Sequence, residues 1–346
     1  VQNQASGQHE AGCIQSNEFG DIHHWTMPIR FATFTEERTA MNKTLLVILV
    51  VLLAACSPFS ETQVAGSVNL NDLQPLPTPA GHDAVPLRVA VAAVISPKGT
   101  VQSYSPLLLY LEEKLNRPVE LVQRKTYMEV NELIEHGEVD VAFVCTSAYI
   151  EGHDTFGMEL LVAPQVNGKT VYNSVLIVPS SSTAQSMKDM RGKVFAFTDP
   201  ISLSGRVYPT YLVHTLGYSP DNFFARTFFT YSHDEAIRAV TSGVADGAAV
   251  DSLVFEFALA RDPSLAEKLR VIHRSPDFGI PPVVISPFTR PQVKADIQTL
   301  LLAMSTDPDA KDALASIGVD SFVLLDDSAY DEVRELYAII PTSELP

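Results

Sequence analysis

The sequence predicts an α/β protein of two lobes, each a mainly parallel sheet flanked by helices, joined by a hinge that the chain crosses twice. Three observations carry this. The chain has 346 residues, more than one hydrophobic core usually serves, and 46% of them are hydrophobic, enough to fill two. Apolar β-branched runs alternate with amphipathic stretches, the grammar of parallel strands covered by helices. That alternation occurs in two sets, with breaks near Pro179 and near Asp277-Phe278-Gly279.

The first set opens with LRVAVAAVIS (87–96), read as a strand. Pro106 to Asn116 follows as a helix, with Ser105 as cap and Pro106 at the first position, where its missing N–H costs nothing. VELVQRK (119–125) is the next strand, and Thr126 with Glu129 forms a capping box for a helix through Glu135. VDVAFVCT (139–146) is apolar throughout, as a strand buried between helix layers is.

The second set runs through a helix near Ala184–Met190, a strand at 194–198, a helix Ser204–Leu216, a strand at 226–230 and a helix Ser232–Ser242. A strand at 246–252 and a helix Leu253–Ala260 complete it. Segments 270–275 and 281–287 return the chain to the first lobe, where helices Arg290–Ser305 and Asp309–Ile317 finish it. The expected boundaries are 87–179 with 278–346 for lobe 1, and 180–277 for lobe 2.

The front end has a different character. Met41-Asn42-Lys43, the apolar run Thr44 to Leu53 and the small residues before Cys56 have the layout of a secretory signal at 41–56. Leu53-Ala54-Ala55-Cys56 resembles the bacterial lipobox, which implies cleavage before Cys56 and lipid on its sulfur. Met41 is then the expected initiator and residues 1–40 an over-extended leader. The apolar run is too short for a permanent span. Residues 57–86, with Pro75, Pro77 and Pro79 and no apolar periodicity, read as a flexible tether.

Charge and cysteine usage narrow the function. A formal net charge of −17 argues against nucleic acid, which is attracted to basic surface. Cys13 lies in the leader and Cys56 at the anchor, so Cys145 is alone in the folded body and no disulfide forms within it. No G-x-S-x-G elbow, HExxH or Walker loop occurs, and His and Asp lack metal-ligand spacing, so neither an enzyme nor a metal or cofactor site is expected.

The chemistry gathers at helix starts that follow strands, where ligands of open α/β sheets sit. In Thr198 to Pro209, TDPISLSGRVYP, a strand runs into Ser202, Ser204 and Gly205 just where a helix begins. Unpaired N–H groups, hydroxyls and the positive end of a helix dipole suit a small oxyanion. A plain helix cap would account for the same residues. Ser232-His233-Asp234 is a second such start; Ser232 with Glu235 reads as a capping box, which leaves His233 unexplained and a candidate proton-sensitive contact. Cys145-Thr146 begins a third, where the thiol is either inert packing or a cleft-lining ligand. Tyr127 and Tyr149 each lie near a helix start, open to packing or to the cleft. Asp251 either caps the next helix or accepts a hydrogen bond from a protonated ligand oxygen or an amine.

YSPLLLYLEEKLNRPVEL (104–121), GEVDVAFVCTSAYIEG (137–152), FTDPISLSGRVYP (197–209), FFTYSHDEAIRAVTSGVADGAAVDS (228–252) and LLDDSAYDEVREL (324–336) together resemble the phosphonate- and phosphite-binding family of periplasmic substrate-binding proteins, the PhnD type serving ABC transporters. The resemblance implies a type II-like periplasmic-binding-protein fold, a monomer outside the cytoplasm, a small oxyanion in the interlobe cleft, and docking on permease subunits. It implies an anion site of Ser202, Ser204, His233, Tyr127, Tyr149 and Asp251. Two departures are visible: Leu203 stands where members usually carry Thr, and Cys145 resembles the cleft cysteine of the family's arsenite-sensing branch. The second opens an alternative, a sensor that binds arsenite through Cys145 and signals to a membrane histidine kinase.

Overall fold

The computed structural model describes residues 85–344. The signal segment, lipobox Cys56 and nearly all of the expected tether lie outside the described residues.

The chain opens with β1 (Leu87–Val91), α1 (Pro97–Leu115), β2 (Val119–Gln123), α2 (Tyr127–Glu135), β3 (Val141–Phe143), α3 (Thr146–Phe156) and β4 (Glu159–Gln165). A short ribbon strand β5 (Val171–Tyr172) leads to β6 (Ser174–Pro179), β7 (Val194–Phe197), α4 (Tyr208–Thr215), the one-turn α5 (Pro220–Phe223), β8 (Arg226–Phe229) and α6 (His233–Thr241). Next come β9 (Gly247–Asp251), α7 (Ser252–Arg261), the short α8 (Leu265–Lys268), β10 (Leu269–Arg274) and the second ribbon strand β11 (Phe278–Gly279). The chain closes with β12 (Val283–Ile285), α9 (Pro291–Ala303), α10 (Lys311–Ile317), β13 (Ser321–Val323) and α11 (Asp331–Ile339).

Two sheets form, ordered β13-β4-β12-β3-β1-β2 and β10-β6-β9-β7-β8. In each, three neighbouring strands run parallel: β3, β1 and β2 in one, β9, β7 and β8 in the other. The remaining pairings are antiparallel. They involve the strands next to the crossings, which arrive from the opposite end of the sheet. The crossings themselves pair as an antiparallel ribbon, Tyr172 opposite Phe278 and Val171 opposite Gly279.

Ser174–Pro179 pairs with β9 and β10, so this strand belongs to the second sheet and the first crossing precedes it instead of falling near Pro179. A wholly apolar run is buried in either sheet, and its sequence carries no mark of which. The first helix also differs from expectation. It starts at Pro97, with Ser96 before it, and Pro106 lies in its interior. Both Ser-Pro steps fit a helix start; the earlier one is used, and Pro106 leaves one carbonyl without its intrahelical partner. The helix expected over Ser204–Leu216 divides into a π-turn, Leu203–Val207, and α4. Near Ala184–Met190 only a short 3₁₀ turn, Met187–Met190, forms.

Separate cores lie against each sheet, but one cluster is shared. It joins Tyr127, Cys145 and Tyr149 of the first unit with Ile201, Leu203, Val207 and Tyr208 of the second. The two lobes are therefore closed on each other. Four hydrogen bonds among the described residues cross between the lobes: His233 N–H to Val94 O at 2.9 Å, Ser96 N–H to Asp234 Oδ1 at 2.8 Å, Tyr127 N–H to Asp199 Oδ2 at 3.1 Å, and Arg206 Nη2–H to Glu344 O at 3.2 Å. Among the described residues no helix is long and apolar enough to cross a membrane, and no group of three His, Cys, Asp or Glu is placed to hold a metal.

Candidate oxyanion site between the lobes

The serine turn is shaped by its own residues. Ser202 Oγ accepts the Gly205 N–H at 3.1 Å, capping the π-turn, which leaves its own O–H proton free to donate. Gly205 is needed for close approach: a Cβ there would land on the Thr198 side chain. Ser204 is different. Its Oγ is fully buried and has no partner. π-turns of this kind often mark functional sites, because they break the helix ladder and re-aim side chains.

Ser204 Oγ is one of several buried hydroxyls without a partner. Tyr127 OH and Ser147 Oγ, from helix starts of the first unit, are others, as are Tyr172 OH at the crossing and Thr198 Oγ1 beside the serine turn. Burying a hydroxyl with no partner costs roughly 1–3 kcal/mol, so native proteins rarely leave several together without a ligand to satisfy them. Burial, with Cys145 and Asp251 nearby, holds the Tyr127 and Tyr172 phenols well above their ordinary range, so both are donors at neutral pH. The hydroxyls of Thr146 and Ser204 lie close to Tyr172 OH. Thr146 Oγ1 is spent on Gly279 O at 2.8 Å, tying the third helix start to the crossing.

Cys145 stands at the N-terminus of α3 with its thiol buried. N–H groups of Leu203 and Ser147, one from each lobe, point at the sulfur and favour the thiolate; burial opposes them and wins, pushing the thiol up to about 11. The neutral thiol thus occupies a point where dipolar ends from both lobes converge.

His233 is buried and neutral. Its Nδ1 accepts the Asp251 N–H at 3.0 Å, which assigns the ring proton to Nε2, and burial pushes its pKa down to about 3. Burial thus keeps it a neutral imidazole in this closed form, where the sequence points to a proton-sensitive contact. The Ser232–Glu235 capping box does not form: Ser232 Oγ is buried without a partner, and Glu235 pairs with Arg238 at 3.0 Å. Asp251 caps α7 through Oδ1, which accepts the Leu253 and Val254 N–H groups, and burial raises its carboxyl to about 7.

Tyr149 does not join this group. Its OH donates to Asp327 Oδ1 at 2.7 Å, and its ring packs against Tyr330. Arg206, in the first turn after the serines, lies over the Phe197 ring and donates to Glu344 O, away from the unpaired hydroxyls. The structure adds Tyr172, Ser147, Thr198 and Asp199 to the residues named from sequence. Ser147 was within reach, one position beyond Thr146 at the same helix start. Tyr172 carried no local signal, since it is placed by the crossing alone.

The donor set contains hydroxyls, backbone N–H groups and a neutral imidazole, with no Lys or Arg among them. Residues 89–330 match the model of the periplasmic substrate-binding proteins of phosphonate ABC transporters. The chain belongs to this family. Its relatives include the phosphate-import protein PhnD of Mycolicibacterium smegmatis, 29% identical over 184 residues, or 50% of this chain and 57% of that one. A probable phosphite-binding protein, PhnD1 of Prochlorococcus marinus, is 29% identical over 109 residues, 31% of this chain and 37% of its own length. The alignments thus span roughly half or less of these relatives.

Solved structures agree on the fold. A binding-protein component of a phosphonate ABC transporter from Pseudomonas aeruginosa superposes with TM-score 0.70 at 23% identity, covering 74% of this chain and 86% of that one. PhnD1 from Prochlorococcus marinus in complex with methylphosphonate gives TM-score 0.65 at 18% identity, covering 73% and 97%. This phosphonate-family member therefore has the periplasmic-binding-protein fold, in which two lobes flank a cleft.

Proposed function

We propose that the protein captures a small tetrahedral oxyanion, a phosphonate, phosphite or phosphate, between its lobes and delivers it to the permease subunits of an ABC importer. The observation that carries this reading is the set of buried, partnerless hydroxyls contributed by both lobes: Tyr127 and Ser147 from one side, Ser204 from the other, Tyr172 between them. An oxyanion supplies acceptors to all of them at once, and it touches both lobes only when they are closed, so binding favours the closed form. The names of the family and of its relatives support the same ligand class. Cys56 as a lipid anchor, a monomeric body and a location outside the cytoplasm complete the proposal; the family's periplasmic character supports the last.

A thermal-shift panel of phosphate, phosphite, methylphosphonate, sulfate and arsenite tests it, because a ligand that binds only the folded state raises the melting temperature. A phosphorus oxyanion should give the largest rise. Response to arsenite alone would move the assignment to the sensor reading, which Cys145 keeps open because N–H groups from both lobes meet at its sulfur.

A further inference from the structure

A protein of net charge −17 repels an approaching anion, and the buried donors between the lobes include no Lys or Arg to offset this. Salt screens such fields beyond about 8 Å, so the charge that counts is the one at the edge of the cleft. Lys125 holds that position. It is exposed, and the chain leads from it through the cap Thr126 to the buried Tyr127. A cation ahead of a helix start adds to the positive end of the dipole, a placement that favours an anion there. Arg124 beside it turns back on its own strand, donating to Gln123 O at 2.9 Å. Among the described residues no carboxylate forms an ion pair with Lys125. Its ammonium lies instead over the ring of Tyr231, 4.0 Å from the ring centre.

Tyr231 comes from the other lobe, half-buried, and leads through Ser232 to the buried His233. The pair therefore spans the two lobes where their meeting line reaches solvent. The φ of Tyr231 is 61°, a left-handed conformation that Gly and Asn adopt readily and an aromatic residue does not. Its N–H donates to Thr198 O at 2.8 Å, which fixes the turn from β8 into α6 without calling for a ring. Such strain is kept where the side chain has a use. Phe229 flanks the ring, and Lys125 covers its face. We propose that Lys125 is the capture cation of the oxyanion site: in the open protein it draws the anion to the cleft, and on closure its ammonium passes to the face of Tyr231, leaving the anion to the buried neutral donors. This rests on the oxyanion reading and adds the residue that governs entry. Carrying the ammonium inward would strip its hydration, whereas a ring at the rim holds it while part of it stays in water.

Rapid mixing of the full chain with phosphate and with methylphosphonate, followed by tyrosine fluorescence over a range of ionic strength, tests this. Lys125→Gln should slow association about tenfold at low salt and flatten its dependence on ionic strength, because the field of the cation is what salt screens. Lys125→Arg should restore both, since Arg carries the same charge and also stacks on aromatic faces. Tyr231→Asn, which tolerates the left-handed backbone, should leave association within about twofold of wild type and speed dissociation roughly two- to fivefold, the worth of an exposed cation–π contact. The double variant Lys125→Gln/Tyr231→Asn should dissociate no faster than Tyr231→Asn. Wild-type association and salt dependence in Lys125→Gln would overturn the capture role alone, and dissociation untouched by Tyr231→Asn would overturn the transfer to the ring. Failure of the wild-type chain to bind either ligand would overturn the oxyanion reading with it. Lys125 is exposed, so its two variants decide the capture role whether or not Tyr231→Asn folds.

Discussion

The main-chain N–H of Asp251 donates to Nδ1 of His233 at 3.0 Å, which locks one buried ionisable group to the segment that carries another. The two titrate in opposite senses. His233 falls from 6.5 to about 3 because burial disfavours the cation, whereas Asp251 rises from 3.8 to about 7 because burial disfavours the carboxylate.

The stability of the unliganded protein should follow from this. For His233 the unfolded chain takes up a proton near 6.5 that the folded chain refuses, so its contribution is full above 6.5 and is lost as pH falls toward 3, by about 1.4 kcal/mol per unit. Asp251 acts the other way, favouring the folded state as pH falls from about 7 toward 3.8. His233→Asn, whose Oδ1 can accept the Asp251 N–H, should therefore lose less stability than wild type between pH 7.5 and 5. Asp251→Asn, whose Oδ1 can still cap α7, should gain on wild type at pH 7.5 and lose that gain by pH 4. Urea denaturation across this range reads both. Parallel curves for wild type and variants would show that neither group is buried as described.

Ser202 and Ser204 should separate cleanly. Ser202 Oγ holds the turn through Gly205 N–H, so Ser202→Ala should cost about 1 kcal/mol of stability, the usual worth of a helix cap. Ser204 Oγ holds nothing in the protein, so Ser204→Ala should leave the melting temperature unchanged or slightly higher. The same change should weaken oxyanion binding by roughly tenfold or more, since hydrogen bonds to charged groups are worth about 1.5–3 kcal/mol. Equal effects of the two substitutions on stability would remove Ser204 from the site.

Much of this was written locally and some was not. The capping box at Thr126 and Glu129 forms as its spacing predicts, because both halves lie within one turn of chain. Ser202, Ser204, His233 and Asp251 were found because each stands where a strand ends and a helix starts. What each does there depended on neighbours distant in sequence. Ser232 and Glu235 have capping-box spacing, yet Glu235 turns to Arg238 and leaves the serine unpaired. Tyr149 has the same helix-start address as Thr146, but Asp327, 178 positions away, takes its hydroxyl. Tyr172 gains its place only when the two crossings pair, a long-range event with no local periodicity to announce it.

Tyr172 and Tyr127 give a sharper test of ligand against packing. Both rings are buried and both phenol oxygens are unpaired, so deleting the oxygen removes a desolvated group and leaves the ring in place. Tyr172→Phe and Tyr127→Phe should each hold or raise stability by up to about 1 kcal/mol while lowering affinity for the oxyanion about tenfold. Chemical denaturation paired with calorimetry measures both quantities on one sample. A variant that loses stability but keeps affinity would assign that hydroxyl to the fold.

Cys145 offers a direct reading of lobe opening. It is 3% exposed, its thiol is pushed up to about 11, and Leu203 from the other lobe closes over it, so neither access nor ionisation favours reaction in the closed form. In a chain carrying Cys13→Ser and Cys56→Ser it is the one thiol left. Its modification by a disulfide reagent should then be slow and limited by separation of the lobes, because attack needs an accessible thiolate. An oxyanion that bridges the lobes lowers the open population, so saturating methylphosphonate or phosphate should slow the reaction at least tenfold. Asp199→Ala, which removes the acceptor of the Tyr127 N–H across the seam, should quicken it in the unliganded protein. A labelling rate indifferent to both would mean that the thiol is reached without the lobes parting, and the seam between Cys145 and Leu203 would no longer report on closure.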